Sequence, residues 1–190
     1  TGSVSGIGTA GGVSGYNYTG SITNCYNTGN VSGSSGFVGG VSGYNSKGTI
    51  INSYNAGSVS GLEYVGGVSG INYTGSITDC YNIGSVSGSE GNVGGVNGYN
   101  DGGTITNCYN VGSVGGSGYV GGVNGWNKGI ITNCYNTGSV SGTGVNVGGV
   151  IGRNESNASI TNCYYGSTIY TGNAIGANDG TTEKVEGKTT

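Results

Sequence analysis

The chain has 190 residues, of which 47 are Gly; it has no Pro, Met or His, five Lys and Arg against eight Asp and Glu, and a net charge of −3. So few charges beside abundant Val, Ile and Thr exclude intrinsic disorder, and the missing Pro and Gly triplet exclude collagen. The scattered cations (Lys47, Lys128, Arg153, Lys184, Lys188) form no basic patch for nucleic acid, and no apolar run reaches the ~20 residues of a membrane span.

Self-comparison divides the chain into six copies, 1–27, 28–55, 56–82, 83–110, 111–136 and 137–164, followed by a tail, 165–190. In each copy a first segment, G-[SN]-V-[SG]-G, is followed by [VA]-G-G-V-x-G-x-N and then by I-x-[ND]-[CS]-Y. The central valines of the second segment (Val13, Val41, Val68, Val96, Val123, Val150) recur every 27 or 28 residues. Helical repeats and propeller blades need longer units. Three short β-rich segments per 27 residues predict an all-β fold, a three-sided parallel β-solenoid of six coils, right-handed by the crossover rule. At ~4.8 Å per coil the stack is about 29 Å long. The tail is expected to form a partial coil or an exit strand. Because Thr1 already lies inside a copy, the chain reads as a section of a longer protein with flanking domains.

In an in-register stack each position sits on its own copy, so columns carry the argument. Val and Ile columns supply a stiff, β-branched core. Gly marks corners that need positive φ or leave no room for a Cβ. Asn17, Asn45, Asn72, Asn100, Asn127 and Asn154 close the second segment, where Asn tolerates the left-handed conformation and can bond its copy above. A further polar column runs Asn24, Asn52, Asp79, Asn107, Asn133, Asn162. Charge is confined to corners and loops (Lys47, Asp101, Lys128, Glu155; Glu63, Glu90), since a column of like charges would repel.

The segments VGGVSGYN (38–45), VGGVNGYN (93–100) and VGGVNGWN (120–127), each followed by I-T-[ND]-C-Y-N or a variant, resemble the GLUG motif, with Val in place of its Leu and Ser or Asn in place of its small apolar residue. The resemblance covers residues 1–165, and the tail 183–190 resembles the stretch that often follows such arrays. It implies an extracellular repeat module of large secreted or cell-surface bacterial proteins, among them adhesins and immunoglobulin-A-cleaving metallopeptidases, in which the repeats are not the catalytic part.

Several features are weighed for chemistry. Cys25, Cys80, Cys108, Cys134 and Cys163 share one column with Ser53; their odd number and coil-length spacing fit buried free thiols better than a disulfide framework or zinc site. Tyr26, Tyr54, Tyr81, Tyr109, Tyr135 and Tyr164 form an unbroken column, read as a structural stack. A looser column, Tyr16, Tyr44, Ile71, Tyr99, Trp126, Arg153, is the better candidate binding surface, because a purely structural stack needs neither Trp126 nor Arg153. The hydroxyl pairs flanking Ile (Ser21/Thr23, Ser76/Thr78, Thr104/Thr106, Ser159/Thr161) are too irregular for ice binding. G-G-x-G lacks the Asp of a calcium repeat, and no cofactor or metal site is read. With no His and no clustered carboxylates, catalysis is not expected. The expected role is a rigid stalk or adhesive spacer. The alternatives are a module binding a host glycan or protein through the aromatic strip and a polysaccharide-active β-helix fragment. Exposed coil ends predict end-to-end self-association, or a tail that covers one end.

Overall fold

A computed structural model describes residues 2–189; Thr1 and Thr190, which begin the first copy and end the tail, lie outside the described residues. In the first coil the backbone forms β1 (Val4–Gly6), β2 (Ala10–Gly11), β3 (Ser14–Tyr18), β4 (Ser21–Thr23) and β5 (Tyr26–Asn27). Four further coils repeat the set as β6–β25. The sixth supplies β26 (Val140–Gly142), β27 (Val147–Gly148), β28 (Ile151–Asn154) and β29 (Ser159–Gly166), the last fusing the fourth and fifth strands of the set. Strands pair in parallel from coil to coil, like facing like: Val4 with Val31, Tyr16 with Tyr44, Ile22 with Ile50, Tyr26 with Tyr54. The described chain is therefore an all-β parallel solenoid of six coils.

The stacked β-branched columns form two neighbouring cores. One joins Val41, Val68, Val96, Val123 and Val150 to Ile22, Ile50, Ile77, Ile105, Ile131 and Ile160 and the thiol column; the other joins Val31, Val59, Val86 and Val114 to Val38, Val65, Val93 and Val120. Each such side chain contributes about 1.5–3 kcal/mol on burial. In the open first coil Val13 stays 42% exposed.

Three expectations are refined. Each of the first five coils carries five short strands, because the second and third segments are each bent in the middle. The third segment bends at Asn24, Asn52, Asp79, Asn107, Asn133 and Asn162, all with φ between 48° and 55°. The left-handed conformation thus belongs to this column, whereas Asn17 and its copies lie within extended strands. The second segment bends at Gly-Gly, where space rather than φ selects glycine. A Cβ on Gly39 would lie 2.0 Å from the Ser42 carbonyl oxygen, and one on Gly40 2.3 Å from Asn55 Cγ.

Two carboxamide ladders run inside the coil. Asn17 Nδ2 donates to Asn45 Oδ1 at 2.7 Å, and the bond passes on through Asn72, Asn100, Asn127 and Asn154. Asn27, Asn55, Asn82, Asn110 and Asn136 form a second buried ladder, each link 2.8 Å, with every Nδ2 also donating to a glycine carbonyl two residues on. The tail closes the C-terminal end. β30 (Ile175–Asn178) pairs with β28 and β31 (Thr181–Lys188) pairs with β29. Asn154 hands the first ladder to Asn178 at 2.9 Å, and the Tyr170 hydroxyl donates to the Val147 carbonyl at 3.0 Å.

Candidate functional site

The column Tyr26, Tyr54, Tyr81, Tyr109, Tyr135 is a regular stack, with centroids 4.8–5.3 Å apart and planes within 10°. Rings stacked this way cover one another's faces and leave edges and hydroxyls to solvent, which supports coil–coil cohesion of about 0.5–1.5 kcal/mol per pair. The regular stack ends at Tyr135: Tyr164 is its backbone partner, both line a cavity of about 260 Å³ with Tyr165 and Lys188, and Lys188 Nζ sits 5.0 Å over the Tyr164 ring.

The second column is different. Tyr16, Tyr44, Ile71, Tyr99, Trp126 and Arg153 are register partners on outward positions of the third strand of each coil. Tyr16 and Tyr44 stack within 1° at 4.9 Å, but Ile71 is buried and the stack breaks there. A row from the second strands takes over: Phe37 lies 5.2 Å from Tyr44 and 5.5 Å from Tyr64, and Tyr64 lies 5.8 Å from Tyr99. Tyr99 meets Trp126 at 5.0 Å, and Tyr119 meets Trp126 at 5.5 Å. These contacts are tilted by 31° to 64°, so this face is a zigzag of half-buried rings rather than a closed stack.

Charge gathers at its C-terminal half. Lys128 Nζ lies 4.4 Å from the Trp126 centroid and 5.5 Å from that of Tyr99. Glu155 Oε1 accepts from Trp126 Nε1 at 3.0 Å and from Arg153 Nε at 2.8 Å. The Arg153 guanidinium and the Trp126 N–H hold the Glu155 carboxyl below its ordinary range, and Glu155 in turn raises Arg153. Burial raises the Tyr99 hydroxyl. Arg153 also reaches Asp179 in the tail at 2.7 Å, so its guanidinium clamps the last coil to the cap.

The structure therefore brings Tyr99, Trp126 and Arg153 together and leaves Tyr16 and Tyr44 at the far end of the face. Sequence reasoning does not identify Phe37, Tyr64 and Tyr119; the available signal is an aromatic residue immediately before Val-Gly in three copies. The thiols stand where the column places them: all five are free, and Cys80, Cys108, Cys134 and Cys163 are buried.

The GLUG motif is matched at residues 6–32, 61–87 and 143–170. A 1.30 Å crystal structure from Bacteroides ovatus, described as a candidate immunoglobulin A1 protease, superposes with a TM-score of 0.57 and 23% identity, covering 92% of this chain and 66% of that one. At that identity the likeness is one of fold. The chain thus spans just under two thirds of the length of that structure. No curated protein matches the chain.

Proposed function

The chain carries the GLUG motif in a six-coil parallel solenoid, and from that premise we propose that it is a non-catalytic repeat module of a larger secreted or cell-surface bacterial protein, serving as a rigid stalk or adhesive spacer. The observation that carries this reading is the unbroken ladder from Asn17 to Asn178, which links every coil and the cap through one repeated bond. Buried amide ladders of this kind have no water to exchange with, so opening one coil strands the polar groups of its neighbours. Asp79 belongs to the outer polar column, accepting from Asn107 Nδ2 at 3.1 Å. Its role there is structural. Single-molecule pulling between the two ends tests the spacer role: one cooperative rupture is expected, and coils that peel away singly at low force would sink it.

A second reading, recognition of a host protein or glycan through the aromatic face, is favoured by the tilted rings around Tyr99 and Trp126. Tyr99→Ala and Trp126→Ala discriminate. Lost binding with an unchanged melting temperature supports recognition, and lost stability alone supports a structural stack.

A further inference from the structure

The second-strand row that completes the aromatic face carries rings at Phe37, Tyr64 and Tyr119, in register from coil to coil, but has Asn92 between Tyr64 and Tyr119. The fourth coil carries Gly91 ahead of Asn92, one residue more than the third and fifth coils have there, as the second coil carries Gly36 ahead of Phe37. The φ of Gly91 is +21°, and a Cβ there would lie 2.2 Å from the Glu63 carbonyl oxygen, so only glycine accommodates the extra residue. Where the ring is missing there is a slot of about 330 Å³, lined by Glu63, Tyr64, Glu90, Gly91, Asn92 and Trp126.

Two independent features of the slot have no partner within the protein. Asn92 is only 4% exposed, lines the slot, and its carboxamide has no hydrogen-bond partner among the described residues. Glu63 and Glu90 occupy equivalent loop positions on adjacent coils, bracketed by the pairs Gly61–Gly88 and Tyr64–Asn92. Neither carboxylate meets a cation: the ion pairs among the described residues use Arg153 and Lys188 only.

We propose that this slot binds the guanidinium of an arginine side chain presented by a partner protein, which takes the place of the missing ring. The proposal rests on the recognition reading of the aromatic face and deepens it. A guanidinium is planar and stacks on aromatic faces, here Tyr64 and Trp126. It carries five donors and no acceptor. The slot offers the matching acceptors, two carboxylates without a cation and Asn92 Oδ1, for charge-assisted hydrogen bonds. A neutral sugar would leave both carboxylates without a counter-charge.

Trp126 is the chain's single tryptophan and reports directly on occupancy. The full chain is titrated with acetyl-Arg-Gly-Arg-amide, the same peptide with citrulline for arginine, glucosamine and glucose. A saturable change in Trp126 fluorescence with the arginine peptide is expected, at least tenfold weaker with the citrulline peptide. Glu63→Gln with Glu90→Gln weakens the arginine response at least tenfold. Asn92→Tyr restores the ring both neighbouring coils carry, so it keeps the fold and abolishes the response. An arginine response that persists in Asn92→Tyr, or equal responses to both peptides, overturns the proposal. A stronger, Trp126-dependent response to glucosamine or glucose overturns it while leaving the aromatic face a sugar-recognition surface. Silence to all four probes overturns both.

Discussion

Each thiol donates to the carbonyl two residues before it: Cys25 to Thr23, Cys80 to Thr78, Cys108 to Thr106, Cys134 to Thr132 and Cys163 to Thr161, at 3.1–3.3 Å. Cys80, Cys108, Cys134 and Cys163 are buried, out of reach of reagents and oxidants, and burial pushes the Cys108 thiol well up. Cys25, in the open first coil, is only partly buried. Native protein is therefore expected to show one fast-reacting thiol in a disulfide-exchange assay and five after denaturation; fewer than three on denaturation would mean that coils are cross-linked. Glu155 supplies a pH signature. Its folded-state pKa is depressed by Arg153, so its stabilising contribution is present above the ordinary carboxylate range and is lost as pH falls through the folded value. Trp126 donates to the same oxygen, so its emission should change in that acid window, and Glu155→Gln should remove the transition.

Several corners carry strain. Thr19, Lys47 and Thr74 follow the ladder asparagines with φ of 56°, 55° and 49°. A β-branched residue in this region costs about 1–2 kcal/mol. The fourth coil places Gly102 at the corresponding corner, with φ 69°. Thr74→Gly is expected to stabilise the solenoid by about 0.5–1 kcal/mol, the remainder after the added unfolded-chain entropy of glycine, measured by denaturant unfolding. The coil length, the core columns, the thiol and tyrosine columns and the Asn17 ladder are legible in the sequence because an in-register stack repeats each chemical choice. The bends are not, since Asn24 and Asn17 look alike until φ separates them. The Asn27 ladder hides in a Tyr-Asn pair that reads as the start of a turn, and its sixth place is taken by Tyr165. The slot is hidden for a different reason: Asn92 is informative only against Tyr64 and Tyr119, and the inserted Gly91 conceals that alignment.

Across the whole molecule the two ends differ. Among the described residues, β1 to β5 have strand neighbours on one side only, while β30 and β31 cover the coil that ends in β29. Deleting residues 166–190 would uncover Ile151, Ile160, Cys163 and the end of the Asn154 ladder, all buried in the intact chain. Sedimentation velocity should then show concentration-dependent association; a strictly monomeric truncated chain would count against a capping role. The carboxamide ladders also set how such a molecule can change length. Each link hands on the same bond, so any two coils present matching cut faces, and a whole coil can be added or removed with Val still meeting Val and Asn meeting Asn. Loss of a few residues would instead set core columns against ladders along the entire remaining stack. Reach is thus quantised, one step of about 4.8 Å for each 27-residue unit, and a tandem duplication within the gene lengthens the rod without redesigning a single contact.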